Sequence, residues 1–93
     1  MSTHTLPSLP VGKIVATPNA LAQLTEDDIT AALLRHVFGD WGDVCAEDKA
    51  QNDRALLEGT RILSVYHAAN GTKFWLITEA NRSVTTVLLP EDY

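Results

Sequence analysis

A single cysteine, Cys45, stands in the 93 residues, so no disulfide can close within the chain. That excludes the stapled frameworks of small secreted domains and fits a reducing, cytoplasmic setting. Cys45 also lacks a basic sequence neighbour that would activate it as a nucleophile. The histidines, His4, His36 and His67, make no CxxC, HxxxH or HExxH pattern, so neither a metal site nor a cofactor is expected. No apolar run approaches the ~20 residues of a membrane helix, and no membrane association is expected. The opening MSTHTLPSLP has neither the basic nor the apolar region of a secretory signal. With Pro7 and Pro10 it reads as a flexible tail over residues 1–10, ahead of one domain over 11–93. A glycine-rich phosphate loop and a supported Ser/His/Asp order are missing too.

Cations are scarce. Lysine and arginine number 7 against 12 aspartates and glutamates, for a net charge of −5. The imbalance is concentrated in residues 26–58, where nine acids meet Arg35, Lys49 and Arg54. Such a surface repels phosphate backbones, so nucleic acid is not the expected partner. It suits solvated helix faces or a basic protein partner.

What is present is a readable order of elements. Val11 to Ala16 alternates weakly and suits a short strand. Thr17-Pro18 sets an N-cap before a proline at the first helical position and predicts a short helix over 19–24. Thr25 with Asp28 gives a capping-box pattern, and Ile29, Leu33, Leu34 and Val37 form an apolar stripe at helical spacing that Gly39 ends. Gly39-Asp40-Trp41-Gly42-Asp43 reads as a loop, with Asp43 the N-cap of a mostly polar third helix over 46–58 that Gly59 stops. The last third predicts an antiparallel meander. Residues 61–68 and 72–79 flank Asn70-Gly71, a strong hairpin signal, and a turn over 80–83 returns the chain. The expected fold is α+β: a short N-terminal strand, two to three helices, then a three-stranded meander that the first strand is free to join as a fourth.

A two-residue turn at Asn70-Gly71 would set Val65 opposite Leu76 and Leu63 opposite Thr78 on one face, with Tyr66 opposite Trp75 and Ser64 opposite Ile77 on the other. The first face, with Phe74, Val87 and Leu89, is the purer apolar one and is assigned to the core. The second mixes Tyr66, Trp75, Ile77 and Leu88 with Ser64, Lys73 and Glu79, a blend suited to recognition. The expected partner-binding residues are therefore Tyr66, Trp75 and Ile77, with Trp41 as a second anchor. The competing reading folds Trp41 onto the core and covers the second face with the N-terminal segment. Asp40 and Asp43 offer too few oxygens for a hard cation.

Two places could carry chemistry. His36 lies at the end of the second helix, where a protonated imidazole would meet the negative end of the dipole. The tip Glu79-Ala80-Asn81-Arg82-Ser83, flanked by Thr78 and Thr85, could line a pocket. It reads equally as a turn, held by Asn81 and Ser83 and by a Glu79–Arg82 pair.

Three blocks, HVFGDWGDVCAEDKAQND, GTRILSVY and WLITEANRSVTTVLLPEDY, resemble a family of small hypothetical proteins described as plasmid-related, from plasmids and integrative elements of proteobacteria. The resemblance spans residues 11–93. It implies a cytoplasmic accessory protein of a mobile genetic element and supplies no catalytic residue. Two functions suit the residues. In the first, an acidic protein binds and blocks a host defence or regulatory protein by surface complementarity. In the second, the helices-then-meander layout is similar to small ribonuclease toxins of the barnase, colicin and RelE-like type. His36, Arg61, Thr78 and Arg82 would then be catalytic, against the acidic balance of the chain. Homodimerisation through the aromatic face is a third reading.

Overall fold

Two threonines start the helical half. The computed structural model describes residues 9–93 and begins with strand β1 (Lys13–Ala16). The Thr17 hydroxyl accepts from the Ala20 amide and opens α1 (Pro18–Gln23), with Pro18 in the first turn. Thr25 and Asp28 complete a reciprocal capping box on α2 (Glu26–Val37). Helix α3 (Ala46–Glu58) is capped by Cys45, whose Sγ accepts from the Asp48 amide at 3.5 Å. The expectation that Asp43 caps α3 is therefore corrected: the Asp43 amide donates instead to the Val65 carbonyl at 2.8 Å.

Strands β2 (Ile62–His67), β3 (Lys73–Thr78) and β4 (Val84–Leu88) form the antiparallel meander, and the chain closes on a 3-10 turn at Pro90–Asp92. β1 adds parallel to β4, giving a four-stranded mixed sheet of order β1-β4-β3-β2 and an α+β fold. The tail expected over residues 1–10 lies, for residues 1–8, outside the described residues. Leu9 is buried, and its amide donates to the Val37 carbonyl at 2.9 Å.

The hairpin register differs from the expected one by a single residue. Tyr66 lies opposite Phe74, Val65 opposite Trp75 and Ser64 opposite Leu76. The Gly71 amide donates to the Ala68 carbonyl, and the Ala68 amide to the Thr72 carbonyl. Gly71 sits at φ 88°, where a side chain would be strained. This is a three-residue loop, a turn followed by a left-handed residue, and not a two-residue turn. One extra loop residue turns all of β2 over. Ser64 and Tyr66 move to the core face, and Leu63 and Val65 to the other. The assignments of β3 and β4 to their faces stand.

The helices cover one face of the sheet. Tyr66, Phe74, Leu76, Val87 and Leu89 pack there with Ala20, Leu24 and Ala32, flanked by Ile29 and Leu33. A second cluster gathers Leu9, Trp41, Ala55 and Ile62. On the opposite face Trp75 meets Tyr93 edge-on at 5.6 Å, and Arg61 donates to the Tyr93 hydroxyl at 2.7 Å.

The outer edge of β2 is closed by the chain itself. The Asn52 amide group donates to the Leu63 carbonyl at 2.8 Å, and its oxygen accepts from the Leu63 amide at 3.4 Å. Two residues on, the Val65 amide donates to the Trp41 carbonyl at 3.0 Å, and Gly42 makes a parallel bridge to Val65. Gly42 has φ 74°, and a Cβ there would stand 1.9 Å from the Val65 carbonyl oxygen, so this close approach requires glycine.

Candidate functional site

The core contains a chain of polar groups that touches every strand of the sheet or its approach. His36 of α2 lies against Ser64 of β2 through Nδ1 at 2.6 Å, and against Thr78 of β3 through Nε2 at 2.8 Å. Thr78 meets Thr85 of β4 at 2.6 Å, and Thr85 donates to the Val11 carbonyl, just before β1, at 2.8 Å. The last bond orders those at Thr78. A carbonyl can only accept, so the single Thr85 proton is committed to Val11. Thr78 must then donate to Thr85, and Nε2–H to Thr78. Burial keeps the ring neutral, which leaves Nδ1 to accept from the Ser64 hydroxyl.

His36, Ser64, Thr78 and Thr85 are all 0% exposed. Burial, and then the nearby charge of Arg82, pushes the His36 pKa from 6.5 down to about 4. The expectation of a protonated histidine at a helix terminus is thus corrected: desolvation outweighs the helix dipole when the ring is buried.

The residues considered for catalysis fall into two groups. His36 and Thr78 touch, with the Arg82 charge near them. Arg61 is exposed and engaged with Tyr93. Arg82 does not pair with Glu79 as expected. Its guanidinium donates to the carbonyls of Ala55 at 2.9 Å, Thr60 at 2.7 Å and Glu79 at 3.3 Å. It thus ties the end of α3 to the 79–84 turn, and a cation there complements the helix terminus. Asn81 accepts from the Ser83 amide at 3.0 Å, so the tip is a self-supported turn.

The residues considered for partner binding do not share an exposed face. Tyr66 and Trp41 are each 2% exposed, and Ile77 is 4% exposed. The Tyr66 hydroxyl donates to the Asp40 carbonyl at 2.7 Å, and the Arg35 guanidinium lies over its ring while pairing with Asp40. Burial pushes the Tyr66 phenol up to about 12. Trp41 donates from its indole to Asp53 at 2.9 Å. Trp75 alone is partly accessible, beside Tyr93. The register shift explains Tyr66; the close pairing of segment 41–43 with β2 explains Trp41.

The accessible features lie elsewhere. A groove of about 610 Å³ runs beside β1, lined by Ile14, Val15 and Ala16 and, across from them, by Leu21, Ile29, Glu26 and Asp27. Thr30 also lines it, and the same i, i+4 ridge of α2 continues to Leu34 and Phe38, both exposed. Among the described residues no group of three or more His, Cys, Asp or Glu is placed to hold a metal ion. Among them, too, no helix is long and apolar enough to cross a membrane. Ser64 was missed as a partner of His36, and Thr85 as the link beyond Thr78. Their one sequence signal is a hydroxyl residue inside an otherwise apolar strand.

Comparison with known proteins adds no relative: no family model, no curated protein and no solved structure matches the chain.

Proposed function

We propose that this chain is a small acidic accessory protein of a mobile genetic element that works by binding another protein, as an inhibitor of a host defence or regulatory protein. The context comes from the plasmid-related resemblance. The observation that carries the choice of binding over catalysis is the burial of the His36–Ser64–Thr78–Thr85 chain. A general base needs reach to a substrate proton, and here both imidazole nitrogens are engaged inside the core. What faces solvent instead is apolar surface bordered by acids, the material of a protein contact.

The ribonuclease reading retains one observation, the contact of His36 with Thr78 near Arg82. It would require the core to open around them. A homodimer through the aromatic face loses Tyr66 and Ile77 to the interior.

Expression of the wild-type chain in a bacterial host separates the readings. Binding predicts normal growth, intact RNA and a host protein retained on the tagged chain. Growth arrest with RNA cleavage, relieved by Arg61→Ala at an exposed position, would establish the ribonuclease instead.

A further inference from the structure

Three consecutive residues, Ile14, Val15 and Ala16, line the groove beside β1. Val87 of β4, the pairing partner of Ala16, lines it too, so the groove opens over the helix-side face of β1, next to the strand's outer backbone edge. Among the described residues that edge is unused on one side. The Lys13 amide donates to the Ser83 carbonyl and the Thr17 amide to the Val87 carbonyl, so the odd-numbered residues of β1 face β4. The amides and carbonyls of Ile14 and Ala16 therefore point outward. Among the described residues none bonds to them there.

The geometry points to a docking site for an extended segment of a partner protein that carries lysine or arginine between apolar residues and adds to β1 as a fifth strand. The inference rests on the protein-binding reading above and names the surface and the occupant. Main-chain bonds at Ile14 and Ala16 supply the affinity of strand addition, and flanking pockets select side chains. Ile14 and Leu21 are exposed and, with Ile29, form the apolar wall. Glu26 and Asp27 stand exposed on the rim, where the segment's cations would lie. A second copy of this chain is the poorer occupant. It brings a net charge of −5 against the same sign and sets acidic rims near one another.

The probe is a peptide of about ten alternating valines and lysines, compared with its valine–glutamate counterpart by calorimetry and by amide exchange. The lysine peptide is expected to bind roughly 10-fold or more tightly than the glutamate peptide. It should slow exchange at Ile14 and Ala16, and weaken on the paired change Glu26→Gln, Asp27→Asn. Ile14→Pro removes an outward amide without deleting a bond to β4, and it should reduce binding roughly 10-fold while the chain stays folded. Failure of the lysine peptide to bind would overturn the proposal. So would binding that leaves the Ile14 and Ala16 amides unprotected, since charge attraction alone would then explain it. A dimer in sedimentation that Ile14→Pro dissolves would assign the edge to a second copy. If the peptide fails while a host protein is still retained on the chain, protein binding stands and this surface is wrong.

Discussion

The two edges of the sheet are treated in opposite ways. At β2 the chain covers its own backbone, with the Asn52 side chain on Leu63 and the 41–43 segment on Val65. At β1 the alternate amides and carbonyls face an acid-rimmed groove. An uncovered strand edge invites pairing with other chains, and proteins commonly blunt it. Among the described residues this molecule covers the edge with other segments of its chain at β2, whereas β1 is blunted only by its shortness and by Lys13. The difference teaches that the aromatic residues nearest the covered edge serve the covering, and it is the contrast on which the proposed docking at β1 rests.

Removing the cover at β2 should have the largest effect. Trp41→Ala deletes a buried indole between Leu9, Ala55 and Ile62, and should cost about 3–5 kcal/mol in urea unfolding. The Val65 amide should lose exchange protection with it. Acid breaks the comparison from the inside, because the His36 chain runs from Ser64 of β2 to Val11 before β1. Folding depresses the His36 pKa from 6.5 to about 4, so the unfolded chain takes up that proton first. The His36 contribution should be full above about pH 6.5, fall by about 3 kcal/mol as pH drops through this window, and be lost near pH 4. Urea midpoints against pH test this, and His36→Gln should flatten the slope. Asn52→Ala should cost about 1–3 kcal/mol, the penalty for leaving Leu63 groups without their partner. It sharpens the comparison most, because it bares a second edge without touching the large core residues. Self-association that rises in this variant, measured by sedimentation, checks that the covered edge was being protected.

Local signals were legible before the structure. The Thr17-Pro18 start, the Thr25–Asp28 box, the span of α3 and the bend at Asn70-Gly71 are each written within a few neighbouring residues. The register was not. β2 reads Ile-Leu-Ser-Val-Tyr-His, apolar on both faces, so its pattern could not say which side goes inward. Only the loop could decide, and the Asn-Gly pair suits loops of two and of three residues. The site was hidden for the same reason. Ser64 looked like a surface polar group because its partner, His36, lies 28 residues away. The open edge of β1 became visible only once β1 was known to lie parallel beside β4, a pairing no short-range signal encodes.

Amide hydrogen exchange of the free chain tests the contrast of the two edges most directly. The account predicts that Ile14 and Ala16 exchange roughly 100-fold or more faster than Val65, whose amide is held by the Trp41 carbonyl. Equal protection at Ile14, Ala16 and Val65 would show that β1 is already covered, and the free edge would have no role to play.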